Sequence, residues 1–197
     1  EESVRRNTAT NVEMPLSILK KLQKKHHYFY SSTHAALLPK EDHNPYVASK
    51  ARFESEIELE RDVEPTVTVL RLPAVFSEFR KSGLVHTVKD NFAKKEPLEL
   101  SFRSHVWHTM HLRRLANIMG SIVTSVSKDN LITIGYPTET SIEKILASAE
   151  SAFGYSIPIT FTHKESDHYV PDVSAQGLYS SVSALDFEND LVEYFKA

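Results

Sequence analysis

Two short runs constrain the fold of this chain more than any other feature. His27 to Ser31 is dominated by Tyr28, Phe29 and Tyr30, and Thr66-Val67-Thr68-Val69-Leu70-Arg71-Leu72 is rich in β-branched residues. Short runs of this kind, bounded by polar or Pro-containing segments, are strands. Between them lies a helix start. Asn44 can cap free backbone amides and Pro45 suits the first turn. The helix it opens runs to about Arg61, with Phe53 and Ile57 directed to the core. Strand, helix and strand in succession predict parallel pairing, because a crossover of that length returns the chain to the same end of the sheet.

The same alternation continues along the chain. Val12 to Lys25 carries Leu16, Leu19 and Leu22 at helical spacing. Phe76 to Lys95 reads as loop and then helix, with Leu84, Val88 and Phe92 aligned. Leu98 to Phe102 alternates as a short strand, Leu112 to Val126 is a helix, and Leu131 to Ile134 a strand closed by Gly135. Thr140-Ser141-Ile142-Glu143 has the form of a capping box, which opens a helix ended by Gly154. Ile157 to Phe161 is a further strand and Leu185 to Phe195 a terminal helix. The predicted fold class is α/β: a partial Rossmann-like parallel sheet with flanking helices, plus a small α+β C-terminal lobe.

Composition removes several function classes. The net charge is −3 and no basic stripe is present, so a nucleic-acid partner is not expected. The cluster Lys20-Lys21 and Lys24-Lys25 falls at a helix end, where cations complement the dipole. The chain has no Cys, which excludes disulfides and thiolate chemistry. No apolar stretch approaches the roughly 20 residues that cross a bilayer, and no signal peptide is visible, so a cytoplasmic protein without a membrane partner is expected. His105, His108 and His111 recur every third residue, a spacing that converges on one metal in neither a strand nor a helix, so no metal is expected. His34 and His43 flank the candidate site, where ligand contact and simple loop polarity explain them equally.

The chemistry concentrates in Tyr46-Val47-Ala48-Ser49-Lys50. A Tyr and a Lys four apart share a helix face. An ammonium beside a phenol favours the phenolate, so the expected Tyr46 pKa is low, and such a group moves protons at alcohol hydroxyls. Alone, the pentapeptide reads as a surface Tyr with a solvated Lys. Its setting distinguishes it: a strand ending in Ser31-Ser32-Thr33, then the Tyr/Lys helix, then the second strand.

That order resembles the extended short-chain dehydrogenase/reductase family of nucleotide-sugar epimerases and dehydratases. Asn11-Val12 with the following Leu16, Ile18 and Leu19 is similar to the family's Asn-Val-x-Gly-Thr helix. Tyr28 to Thr33 resembles the strand ending at the catalytic hydroxyl, which maps to Thr33. Leu70 to Phe76 resembles Leu-Arg-x-x-Asn-Val-Tyr, Met110 to Ala116 resembles Ile-His-Val-Asp-Asp-Leu-Ala, and Pro171-Asp172-Val173-Ser174 resembles Pro-Asp-x-Ser.

The resemblance implies an enzyme in which Tyr46 is the acid/base, Lys50 tunes it and reaches the nicotinamide ribose, and Thr33 holds the substrate hydroxyl. It implies NAD or NADP as cofactor, with Ser31, Asn11 and Arg71 as further cofactor-side residues. It implies a nucleotide-sugar substrate near Thr33, Ala74 and Trp107, Trp107 being better explained as core. His111 falls at a structural or ribose-proximal position. A homodimer would pair Val12–Lys25 and Tyr46–Arg61. The expected domains are 1–77, part of a nucleotide-binding domain, and 78–197, mostly a substrate lobe with 105–135 returning to the first.

The chain departs from the family's pattern in three ways. None of its five glycines forms the Gly-rich pyrophosphate turn, so the expected parent protein holds that part elsewhere or on a separate chain. Ala74 stands for a substrate-holding Asn. Arg113-Arg114 stand for an acidic pair. These departures leave open a non-catalytic binding or regulatory relative. His34-Ala35 follow Thr33 where a dehydratase has Asp-Glu, which favours an epimerase or reductase.

Overall fold

In the computed structural model, residues 1–59, 66–102, 108–125, 130–138, 140–163 and 186–197 are described. The expected Pro171–Ser174 motif, Trp107 and His105 fall outside them. The chain divides into two compact units, Glu1–Leu72 with Val126–Ile134, and Pro73–Ser125 with Gly135–Ala197.

The first unit holds a three-stranded sheet in the order β1 (His27–Thr33), β2 (Thr66–Leu72), β6 (Leu131–Thr133). Both ladders are parallel, and β1 and β2 pair without a slip from His27 opposite Thr66 to Thr33 opposite Leu72. Helix α3 (Pro45–Leu59) is the crossover between them. Tyr30 of β1 stacks on Phe53 of α3, with centroids 3.8 Å apart. Val12, Leu19 and Val69 complete that core, with Leu16, Leu22 and Ile57 against it. Burying Phe53 stabilises this packing by about 3–5 kcal/mol, the usual cost of cutting a core Phe to Ala.

The N-terminal helix differs from the expectation. It starts at Glu2 and not at Val12, and runs as α1 (Glu2–Thr8), a π-helical turn (Ala9–Glu13) and α2 (Met14–Leu19). Pro15 explains the wide turn. A proline ring inside a helix clashes with the carbonyl four residues before it and offers that carbonyl no N–H. The ladder widens there, and the Met14 amide bonds back to Ala9. The carbonyl left without its Pro15 partner is that of Asn11, and it accepts the Tyr30 phenol at 2.8 Å.

The second unit contains two parallel strand pairs: β3 (Ala74–Phe76) with β5 (Thr109–His111), and β4 (Leu98–Phe102) with β7 (Ile159–His163). β3 and β5 are three residues each, too short for a periodicity to register. Around them pack α4 (Leu84–Lys94), α5 (Leu112–Ser125), α6 (Ile142–Phe153) and α7 (Asp186–Lys196). Phe92 and Phe187 are fully buried at its centre. The α6 cap lies one residue beyond the expected box: Ser141, not Thr140, is the N-cap and accepts the Lys144 amide at 3.3 Å, while Gly154 closes the helix at φ 75°. Phe53 and Phe76 are core as expected. Phe29 is only half-buried and stacks on His27.

Candidate active site

Asn44 begins α3 as predicted, its side-chain oxygen accepting the Val47 amide at 3.0 Å. This sets Tyr46 in the first turn and Lys50 one turn later, beside the C-terminal half of β1. The Lys50 side chain is only 8% exposed. Its ammonium donates to the Ser31 carbonyl at 2.8 Å and lies 4.5 Å from the centre of the Tyr30 ring. The Tyr46 ring is 5.7 Å from the same nitrogen and is 44% exposed. A buried ammonium is therefore fixed by one carbonyl and two aromatic faces, next to a phenol that still meets solvent.

The electrostatics differ from the expectation. Tyr46 is raised above the ordinary tyrosine value and not lowered, because burial of part of the ring disfavours the phenolate. The Lys50 ammonium that was to acidify it lies under Tyr30 and points to Ser31. Burial in turn lowers the Lys50 pKa. Tyr46 is thus a phenol at neutral pH in this state.

The other candidates divide. Asn11 is buried. Its amide donates to Ser49 Oγ at 2.9 Å, and Ser49 donates to the Tyr46 carbonyl at 2.7 Å, so Asn11 braces the Tyr46 turn. Ser31 presents its carbonyl to Lys50 while its side chain is exposed. Thr33 caps the following 3₁₀ turn, its hydroxyl accepting the Ala35 amide at 3.3 Å, and it makes no hydrogen bond to Tyr46. Its own O–H remains available to donate. Arg71 directs its guanidinium to Glu54, at 3.0 Å from Nε and 2.5 Å from Nη2. Sequence reasoning missed Glu54, although its position four residues after Lys50 carries the signal. His34 is buried and its Nε2 lies 2.7 Å from the Ile134 carbonyl, tying the ends of β1 and β6. His43 bonds the Leu38 carbonyl.

Ala74 belongs to the second unit, where its amide donates to the His108 carbonyl. His111 is buried there against Phe76 and faces Glu78. Arg114, one of the pair that departs from the family's acidic pattern, is neutralised within that unit. It pairs with Asp190 at 2.9 Å and Asp186 at 3.3 Å, and Tyr136 donates to Asp190 at 2.6 Å. Arg114, Asp186 and Asp190 line a cleft of about 640 Å³ between α5 and α7. No metal-holding group of three or more His, Cys, Asp or Glu occurs among the described residues. Among those residues, too, no helix is long and apolar enough to cross a membrane.

No family model matches the sequence, and no curated protein resembles it closely enough to count. Solved structures do resemble it. UDP-glucuronic acid 4-epimerase from Bacillus cereus, in complex with NAD, superposes with a TM-score of 0.74 at 18% identity, covering 100% of this chain and 69% of that one. UDP-glucose 4-epimerase from Thermotoga maritima, with UDP-glucose, gives 0.73 at 19% identity, covering 98% and 71%. UDP-N-acetylglucosamine 4-epimerase from Methanobrevibacter ruminantium M1, with UDP-N-acetylmuramic acid, gives 0.72 at 15% identity, covering 96% and 67%. The chain spans about two thirds of these structures and has the Rossmann-like fold of the nucleotide-sugar 4-epimerases over that length.

Proposed function

We propose that this chain carries the proton-transfer site of an NAD(P)-dependent nucleotide-sugar epimerase or reductase, of the extended short-chain dehydrogenase/reductase type. One observation carries this reading: a buried Lys50 ammonium held between two tyrosine rings and a strand-end carbonyl, one helical turn from a solvent-facing Tyr46 phenol. Burial disfavours the charge of this lysine, so its desolvation has to be offset by the Ser31 carbonyl and the two rings, a cost that a solvated surface lysine would not carry.

Tyr46 would exchange a proton with a hydroxyl or carbonyl oxygen of the sugar. Of the three Lys50 N–H bonds, one is taken by Ser31, and two can serve the ribose of the dinucleotide and the phenol oxygen. Thr33 would donate its hydroxyl to the same sugar oxygen. When bound, the nicotinamide ring supplies hydride acceptance and return. Lys50, Tyr46 and Ser31 suit the ribose end of that cofactor. The pyrophosphate end needs a Gly-rich turn that none of the glycines provides.

The non-catalytic alternative rested partly on Arg113-Arg114. Arg114 is balanced by two aspartates, so its charge is accommodated within the fold and does not by itself favour that alternative. A homodimer through Val12–Lys25 and Tyr46–Arg61 belongs to the same reading and is tested by sedimentation.

The deciding experiment is calorimetric titration of the chain with NAD(H) and NADP(H), alone and with any co-purifying chain, followed by NMR of UDP-sugar turnover. Binding plus turnover that Tyr46→Phe removes supports the enzyme. Absence of dinucleotide binding in every combination leaves the binding or regulatory subunit.

A further inference from the structure

Glu54 stands on α3 one turn beyond Lys50 and two beyond Tyr46. Its side chain is 11% exposed. One oxygen accepts the hydroxyl of Ser32, itself buried, and the other accepts the guanidinium of Arg71 through both Nε and Nη2. Ser32 and Arg71 are not independent partners: they face each other across the β1–β2 ladder. A single carboxylate therefore grips one rung of the sheet from the helix that carries Tyr46 and Lys50.

We infer that Glu54, held by Ser32 and Arg71, is the positioning residue that sets Lys50 and Tyr46 against the end of β1. The inference rests on the proton-transfer site proposed above. The gripped rung lies between the two functional points of β1. Ser31 on one side gives its carbonyl to Lys50, and Thr33 on the other carries the candidate substrate hydroxyl. The Tyr30–Phe53 stack already holds α3 to the sheet, but a flat aromatic contact lets a helix slide and rotate. A carboxylate with three directed donors does not, because hydrogen bonds to charged groups are short and angle-dependent. Position matters here: a displacement of about 1 Å at a catalytic group can cost on the order of a hundredfold in rate. Arg71, assigned to the cofactor by resemblance, acts in this account through Glu54.

The test compares the full chain with Ser32→Ala and Glu54→Gln, using Arg52→Ala as a control at an exposed pair elsewhere on α3. The first readout is titration of the Lys50 amine by NMR of labelled lysine, assigned with Lys50→Met. The second is turnover of a UDP-sugar with NAD. In Ser32→Ala, which leaves the carboxylate charge in place, the Lys50 amine is expected to titrate higher, back toward the ordinary lysine value. The kcat should fall roughly tenfold or more while KM stays within about twofold. Arg52→Ala should change neither. A Lys50 titration unmoved in a folded Ser32→Ala protein overturns the inference, even where melting temperature drops, since a purely structural staple would behave that way. Should Glu54→Gln fail to fold with Arg71 left unpaired, Ser32→Ala decides alone. A wild type that neither binds NAD nor turns over, alone or with any co-purifying chain, sinks the proposed function, and the Lys50 titration still decides the role of Glu54.

Discussion

Tyr46 and Lys50 show how little a spacing says about a pKa. Four residues bring the two side chains to one face, yet the ammonium turns toward Ser31 and Tyr30 and burial dominates both groups. Two predictions belong at this scale. Tyr46→Phe should leave stability within about 0.5 kcal/mol, because the side chain is 44% exposed and its hydroxyl makes no hydrogen bond among the described residues. The same change should reduce turnover by about a hundredfold or more, the usual share of a positioned acid/base group. Thermal melting and initial rates measure the two halves, and a folded variant with unchanged rate excludes Tyr46 from the chemistry. Deprotonating a sugar hydroxyl needs the phenolate, and the phenol pKa is raised. The rate in that direction should therefore climb with pH through neutral and into the alkaline range, whereas a flat profile would assign the base elsewhere.

Among the elements, the N-terminal helix carries the sharpest test. Tyr30→Phe leaves the Asn11 carbonyl without the phenol that serves it, at a cost of about 1–3 kcal/mol for a buried acceptor. Pro15→Ala restores an N–H four residues beyond Asn11. In the Tyr30→Phe background that change should recover part of the loss, and in the wild type it should recover little. Urea unfolding of the four proteins forms a double-mutant cycle, and simple additivity would refute the link between Pro15 and Tyr30. Helix α6 is the simpler case. Ser141→Ala should cost about 1 kcal/mol through loss of the N-cap. Gly154→Ala should cost about 1 kcal/mol because φ is positive there.

At the scale of the whole molecule, buried phenols set the alkaline limit. Tyr30 and Tyr136 both titrate above the ordinary value of 10.0, chiefly because burial disfavours their charge. A raised folded-state pKa means the native state holds the proton more tightly than the unfolded chain. That stability is complete below pH about 10 and is lost as pH rises toward the folded values. Lys50 has the opposite sign: its folded pKa is lowered from 10.5, so its contribution improves as pH approaches 10.5. The tyrosines outnumber it, so the urea midpoint should fall above pH 10. Tyr136→Phe should flatten that fall, and an unchanged slope would show that Tyr136 is not the group responsible.

Element type was written into the sequence because it depends on local spacing. The strands at Tyr28 and Val67, the Asn44 cap, the Gly154 stop and the parallel crossover are all legible from neighbours a few residues apart. The Tyr46–Lys50 pair was legible for the same reason. Partners separated by long stretches of chain were not. Glu54 gripping Ser32 and Arg71, Asn11 bracing Ser49, and Arg114 balanced by Asp186 and Asp190 join residues that no periodicity connects. The direction of each pKa belongs to that second class, since it depends on which groups packing removes from water. Sequence alone therefore determined where a phenol and an amine share a helix. Only the folded chain decided that the amine is buried, where it points, and what holds it there.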